Sequence, residues 1–531
     1  MITITLLLLA AALAWTLARA FNLPAVATLL LMGIGLNAIG LRDVAAIDPE
    51  VANDAFLLGL TFLVFHSGTE LSPGRIGRRG ATAVQIGIIQ FLVLGALGMG
   101  LAYLLGRSVT VALYFGLAIA VSSTLVVVRL LQQRRQFFEP FAQLLVGVLL
   151  VQDVILLVAI ALIEGSQQRV QGLQGALGGL VVLVAMTLVF LRWLSPWLLL
   201  RRKQDDETLL LILLSVLFLF LGLAYQLDLP LVVGAFTAGV SVSAFPVHGL
   251  VRGQLNTLTN FFMALFFVSL GFFVPIPQLS AWPTVLGLCA LVLLVTPPLV
   301  AWIAERAGMS ARGALESGLL LAQTSEFSII VGVVGVASGV LSLDDLGLLT
   351  MVTLLTMLAT PFFTHRVIIE TLIRWHPSTR MADPLPKSGH VLMAGCGELG
   401  FTMLDLLEQS QHDVVVIEDD PGIVAKLKAR GVTVIRGDAA SATVLARASA
   451  TQALAIISVL RRVEDSVSLL NRVGGVPTYV RVFEDADAQR IADAGGFPVA
   501  YAAATAERFG HWFCGSMTGD CKDPGLPPEA P

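Results

Sequence analysis

The chain has 531 residues, 56% of them hydrophobic and only 13% charged, with a formal net charge of −4. Soluble domains carry roughly 25% charged residues, so the composition excludes an ordinary soluble protein, and the weak charge balance argues against a nucleic-acid partner. The deficit of charge falls almost wholly before residue 375. A membrane part is expected over 1–375, a Pro-rich linker over 376–389 (HPSTRMADPLPKSG), a soluble domain over 390–512 and a disordered Gly/Pro-rich tail over 513–531.

Apolar runs fall near 2–20, 22–41, 51–69, 81–105, 109–131, 141–163, 172–199, 208–226, 229–246, 256–275, 281–303, 315–340 and 345–370. Each is about the length that crosses a ~30 Å hydrocarbon core, which predicts an α-helical polytopic protein of about 13 spans. The first run lacks a basic leader segment and Arg19 follows it, so it reads as a span and not as a cleaved signal. Basic residues settle the orientation. Arg19, the Arg75/Arg78/Arg79 loop, Arg129/Arg134/Arg135, Arg192/Arg201/Arg202/Lys203, Arg252, Arg306/Arg312 and Arg366/Arg374/Arg380/Lys387 fall on one side, eighteen in all. Arg42, Arg107 and Arg169 fall on the other. The positive-inside rule makes the first side cytoplasmic, with the N-terminus outside and the C-terminal domain inside. The four cysteines, Cys289, Cys396, Cys514 and Cys521, show no ligand spacing and imply no disulfide framework.

Span 5 carries three hydroxyl residues in a row, Ser122-Ser123-Thr124. Hydroxyls there can bend a helix and satisfy freed backbone groups, or simply join neighbouring helices. Span 6 contains Gln152-Asp153, and Asp153 is the only ionisable residue in FAQLLVGVLLVQDVILLVAIALI, 141–163. An ionised carboxylate at that depth costs ~3 kcal/mol on insertion scales, so an acid kept there marks an ion or proton pathway. Span 12 carries a second polar cluster, Gln323-Thr324-Ser325-Glu326. Spans 5 and 12 are seven apart and therefore run in opposite directions. Two interrupted helices at inverted positions are the sequence pointer to a transporter's midplane site.

These residues carry a resemblance. SSTLVVV, VQDVILL and AQTSEF, with HSGTEL (66–71) and the Phe-rich NFFMALFFVSLGFFV (260–274), resemble the Kef family of monovalent cation/proton antiporters over roughly residues 1–510. The resemblance implies an NhaA-like fold of inverted repeats, with a scaffold half that dimerises and a mobile half holding two crossed, unwound helices. It also implies a bacterial inner-membrane location, Asp153 as the carboxylate that binds K⁺ or Na⁺ and H⁺ in turn, and Gln152 beside it. A cation and a proton compete for the same carboxylate oxygens, so moving the loaded site across the membrane exchanges one for the other. Neutral Gln152 stands where electrogenic relatives have a second acid, which implies electroneutral exchange. Glu326 reads as structural charge compensation, either of the helix ends or by pairing with Arg129 or another cation, or as an ion contact. Glu70, at the cytoplasmic end of span 3, reads equally as a site residue or a solvated mouth residue, and His66 as a packing or pH-tuning residue.

From 390 the pattern alternates strand and helix: strands HVLMAG (390–395), DVVVIE (413–418), VTVIRGD (432–438), ALAIISV (453–459) and TYVRVF (478–483). This is a Rossmann-like α/β order. The first strand runs into Gly395-Cys396-Gly397-Glu398-Leu399-Gly400, and the second ends in Glu418, followed by Asp419. Glycines at that turn let backbone amides approach a phosphate at a helix N-terminus, and an acid at the end of the second strand suits a ribose 2′-OH. The segment resembles the TrkA-N (RCK-type) nucleotide-binding domains attached to Kef proteins. The resemblance implies a regulatory AMP or NAD(H), with Asp438 and Ala439 on the adenine side. Glu398 replaces the Arg that glutathione-gated relatives carry in the Gly motif, and HGLVRGQLNTLTN (248–260) lacks their acidic loop. The residues therefore favour control by nucleotide alone. No constellation for enzymatic chemistry is present. A nucleotide-gated K⁺ channel would need a Thr-Val-Gly-Tyr-Gly-like filter, which the sequence lacks.

Overall fold

The computed structural model describes residues 2–21, 23–39, 49–70, 80–134, 136, 140–167, 172–195, 206–243, 249–375, 388–409, 412–500, 505–506 and 509. Most of the 376–389 linker and the whole 513–531 tail lie outside the described residues. The chain forms two compact units, Met1–Ala307 with Ala314–His365, and Gly308–Gly313 with Arg366–Pro531.

The first unit is helical. Its elements are α1 (Ile2–Ala20), α2 (Ala25–Ala38), α3 (Pro49–Glu70), α4 (Gly80–Leu104), α5 (Val109–Ile119), α6 (Thr124–Gln133), α7 (Pro140–Gln167) and α8 (Gly172–Val189). Then follow α9 (Asp206–Gln226), α10 (Leu231–Val242), α11 (Gly249–Phe273), α12 (Trp282–Arg306), α13 (Ala311–Leu321), α14 (Glu326–Ala337) and α15 (Leu343–Phe363). Every apolar run of the sequence carries helix. Among the described residues, nine helical stretches are long and apolar enough to cross a membrane, counting Val109–Gln133 and Ala311–Ala337 as one each. Ala25–Ala38, Leu231–Val242 and Thr257–Phe273 are shorter apolar helices.

In lipid, helices associate through close packing of small and aromatic residues, because lipid tails are as apolar as leucine. Helix α3 shows both devices. Phe62 stacks on Phe262 of α11, ring centroids 4.5 Å apart, and Phe56 stacks on Phe266 at 4.9 Å. The Phe-rich stretch of α11 is thus a packing face. On its other side α3 meets α10 through Gly68 and Gly239. A Cβ at Gly68 would lie 2.3 Å from the Phe236 oxygen, and one at Gly239 would lie 2.1 Å from the Phe65 oxygen. Only glycine permits that approach, which explains the glycine of HSGTEL.

The second unit holds α16 (Arg366–Trp375) and a parallel sheet in the order β3-β2-β1-β4-β5-β6. The strands are β1 (Val391–Ala394), β2 (Val414–Glu418), β3 (Thr433–Arg436), β4 (Ala455–Ser458), β5 (Thr478–Val482) and β6 (Phe497–Ala500). The interleaved helices are α17 (Glu398–Gln409), α18 (Pro421–Ala429), α19 (Ala442–Arg447), α20 (Val463–Val473) and α21 (Asp485–Asp493). Leu392 pairs with Val415 on one side and Ile456 on the other. Together with Leu445 and Leu469 they form one core face, while Met393, Val416, Leu404 and Leu427 form the opposite one. Burial on both faces is why the strands read as continuous apolar runs. The sequence reading stops at the fifth strand. β6 escapes it because all four of its residues are exposed and Pro498 sits in an edge strand, where a missing N–H is tolerated.

Candidate functional site

The polar clusters of spans 5 and 12 are breaks in helices. α5 ends at Ile119 and α6 starts at Thr124; α13 ends at Leu321 and α14 starts at Glu326. In each case a serine starts the second half. Ser123, with extended backbone, accepts from the Val126 N–H. Ser325 accepts from the Phe327 N–H, while Ser328 accepts from the Ser325 N–H. A capping serine inside an apolar run makes a new helix start cheaper than continuing the old one.

The two breaks lie against each other and satisfy each other. The Ser122 hydroxyl donates to the Leu321 carbonyl at 2.8 Å, and the Ser328 hydroxyl donates to the Ala118 carbonyl. The Ser123 hydroxyl donates to Glu326 Oε2 at 2.6 Å. The freed carbonyls of each first half are therefore taken by serines of the other break. Glu326 sits in the first turn of α14 and touches the N-cap of α6, where helix dipoles favour negative charge. Of the two compensations open to Glu326 from the sequence, its position matches the helix ends, and no ion pair with Arg129 forms among the described residues. The Glu326 carboxylate makes no ion pair within 4 Å among the described residues; its hydroxyl bond to Ser123 and its first-turn position serve instead.

Gln152 and Asp153 of α7 reach this crossing, both fully buried. Gln152 Oε1 accepts from the Ser122 N–H at 3.1 Å, a donor that the helix break has freed. Asp153 Oδ2 accepts from the Thr124 hydroxyl at 3.4 Å and from the Ser67 hydroxyl of α3 at 3.3 Å. Asp153 Oδ1 and Gln152 Nε2 are buried without a hydrogen-bond partner among the described residues. A buried acceptor and a buried donor are thus left open on consecutive residues, with one carboxyl oxygen of Asp153 free.

Ser67 and Gln90 were not singled out from the sequence. Gln90 donates to Ser122 Oγ at 3.0 Å from inside α4. Its signal was a buried amide in an apolar run; Ser67's was its place one residue before the close-approach Gly68. Thr324 joins Thr353 and Thr356 of α15 at 3.1 Å each, which anchors the second break. Glu70 is half-buried at the end of α3, with His66 Nε2 3.7 Å from its carboxylate.

In the second unit the glycine loop follows β1. Gly395 has φ +83°, a left-handed turn that favours glycine, and its N–H donates to the Ile417 carbonyl at 2.8 Å. A Cβ at Gly400 would stand 3.3 Å from the Gly395 oxygen, whereas one at Gly397 would meet nothing within 4 Å. So the third glycine permits helix packing and the second leaves open space over the loop. Glu398 and Leu399 open α17, which starts the loop-to-helix turn. Glu418 braces the loop: Oε2 accepts from the Cys396 N–H at 2.6 Å, and Oε1 accepts from the Asp419 and Asp420 N–H groups. Burial, with the Glu418 and Asp438 charges nearby, pushes the Asp419 carboxyl up to about 7. Asp438 accepts from the Ala440 N–H and pairs with Arg312 of the Gly308–Gly313 segment at 2.7 Å, and Ala439 is buried. Burial likewise pushes the Cys396 thiol up to about 12, so this residue is a packing group.

Residues 6–369 match the family described as sodium/hydrogen exchanger, transmembrane, and residues 391–504 match the TrkA-N domain. YbaL of Escherichia coli K12, named for cation/proton antiport, is 27% identical over 428 residues, 75% of this chain and 76% of its own. The glutathione-regulated potassium-efflux system protein KefC of Klebsiella pneumoniae strain 342 is 28% identical over 477 residues, 87% of this chain and 76% of its own. The sodium proton antiporter MjNhaP1 of Methanocaldococcus jannaschii has the same helical fold. Its structure at pH 8 aligns with a TM-score of 0.54 at 16% identity, covering 68% of this chain and 98% of that one.

Proposed function

The chain belongs to the sodium/hydrogen exchanger family, and on that premise we propose that it exchanges a monovalent cation, K⁺ first and Na⁺ second, for a proton at Asp153. The observation that carries the reading is the open Oδ1 of a fully buried Asp153 beside the mutually capped helix breaks. A proton on that oxygen, or a dehydrated cation against it, satisfies the open acceptor, and the two exclude each other. Gln152, Ser122, Ser123 and Thr124 hold the carboxylate and the breaks in register. Glu326 offsets the helix ends, and Glu70 lies at the mouth of the site. One titrating carboxylate with a neutral neighbour gives one proton per cation, an electroneutral cycle. Potassium as the preferred ion rests on the likeness to KefC.

The transport domain spans 1–375 of a bacterial inner membrane, with the N-terminus outside and the TrkA-N domain on the cytoplasmic side, in keeping with the distribution of arginines. The protein works as a homodimer. The TrkA-N domain binds a nucleotide with a free ribose 2′-OH, AMP or NAD(H), through the amides of the 395–400 loop and the acids Glu418, Asp419 and Asp438, with Ala439 beside the adenine. That nucleotide regulates exchange.

The test uses proteoliposomes loaded with a pH-sensitive dye. Addition of K⁺ or Na⁺ should dissipate an imposed pH gradient, and Asp153→Asn should abolish the response while leaving a normal melting profile. Pulses of cation flux in folded Asp153→Asn protein would overturn the assignment. Flux driven by voltage alone would overturn the stoichiometry. Mass spectrometry of the purified protein names the nucleotide; recovery of only 2′-phosphorylated dinucleotide would contradict the ribose reading.

A further inference from the structure

A cavity lies within the helical unit, and Asp153 is not among the residues that line it. It has a volume of about 260 Å³ and is lined by residues of α1, α2 and α6, with Pro361 of α15. Two arginines face it. The Arg129 guanidinium carbon stands 5.0 Å from the centre of the Trp15 ring, and that of Arg19 stands 5.9 Å from the same ring. Neither arginine has a hydrogen bond or ion pair among the described residues. Glu326 is the acid whose charge reaches Arg129, but its carboxylate is bonded to Ser123. Two like charges stand over one indole, one of them half-buried, and no acid lies within ion-pair distance of either among the described residues. Apart from Gln133 the remaining walls are apolar, among them Leu23, Val126 and Leu130.

We propose that this cavity binds the headgroup of an anionic glycerophospholipid, with its phosphate between Arg19 and Arg129 and its acyl chains running out past the apolar wall. Guanidinium groups grip phosphate oxygens in paired hydrogen bonds, and a tryptophan belongs at the level where headgroups begin. A free phosphate would use the arginines but leave the apolar wall without purpose. The cavity has room for a headgroup and not for two acyl chains. Pro361 places it at the end of the unit where residue 365 leaves, so the orientation proposed above makes it an inner-leaflet site; the lipid chemistry itself does not depend on transport.

The site adjoins the first turns of α6, which begins at the Ser123 cap. A lipid held there would brace the half-helix that carries Thr124.

The experiment titrates the purified full-length protein in neutral detergent with dioleoylphosphatidylglycerol, dioleoylphosphatidylcholine or inorganic phosphate, reading melting temperature and lipid adducts by native mass spectrometry. Phosphatidylglycerol should stabilise the protein and form adducts in preference to phosphatidylcholine, and phosphate alone should do neither. Arg19→Gln, an exposed change whose described contact is Trp15 alone, and Arg129→Gln should each weaken phosphatidylglycerol binding about tenfold and leave the phosphatidylcholine response unchanged. Equal responses to the two lipids overturn the proposal. So does full phosphatidylglycerol binding in the folded Arg19→Gln protein. Stabilisation by phosphate alone also refutes it and identifies a free-anion site.

Discussion

Gly68→Ala tests how the packing of α3 controls the ion site. The new methyl would lie 2.3 Å from the Phe236 oxygen, where ordinary contact begins at 3.4 Å, so α3 and α10 must part by about 1 Å. Ser67 is the next residue, and its hydroxyl already reaches Asp153 at the long distance of 3.3 Å. A retreat of that size takes the bond out of range. Overpacking of this kind costs about 1–3 kcal/mol, and loss of a hydroxyl donor to a buried carboxylate adds about 1.5–3 kcal/mol if the group stays charged. The variant should melt several degrees lower and exchange cations far more slowly in dye-loaded proteoliposomes. Gly35→Ala is the control, since a Cβ there meets nothing within 4 Å; it should match or slightly exceed wild-type stability, because alanine favours a helix interior by about 0.5–1 kcal/mol. Gly68→Ala protein with wild-type melting and exchange would refute the claim that this contact sets Ser67 against Asp153.

Other expectations follow from the same geometry. Gln152→Glu keeps an acceptor for the Ser122 N–H but places a second acid at the crossing, so exchange should become sensitive to an imposed voltage; voltage-independent wild-type flux in the variant would contradict the electroneutral reading. Ser325→Ala removes the cap of α14 and should cost about 1 kcal/mol, measured as a lower melting temperature. Asp419 titrates at about 7 in the folded domain, above its ordinary 3.8. A raised carboxyl stabilises the folded state fully below about pH 4, and that stability is lost as pH rises through 7, by at most about 4 kcal/mol. Hydrogen exchange of the β2 amides, corrected for intrinsic rate, should therefore speed up between pH 5 and pH 8, and Asp419→Asn should flatten the trend; an equally steep trend in the variant would assign it to another group.

The architecture was legible where one residue type had one physical use. Apolar runs gave the helices, and the hydroxyl clusters pointed to the breaks because two of them fall at inverted positions, each beside a buried acid. The alternation of the C-terminal part with its glycine turn gave the parallel sheet. Partnerships across the fold were less legible. Ser67 and Gln90 look like any stray polar residue until the helices are placed, and each acts through a partner 86 or 32 positions away. Glu326 was open in the sequence for a related reason: charge alone allowed a cation or a helix end, and only the fold places a serine hydroxyl and a helix N-terminus against the carboxylate. The exposed β6 carried no burial pattern to read.

The reciprocal bonds of the two helix breaks have a mechanical consequence. Ser122 holds Leu321, Ser328 holds Ala118 and Ser123 holds Glu326, so neither break can shift without stripping buried groups on the other. The crossing therefore behaves as a knot tied from both ends, and a working cycle has to carry it whole. Asp153 is held by longer bonds, 3.4 Å from Thr124 of α6 and 3.3 Å from Ser67 of α3, and the second joins the crossing to a helix packed elsewhere. Under the exchange proposed above, access to the carboxylate alternates as this joint opens and closes, while the strands of the knot stay tied.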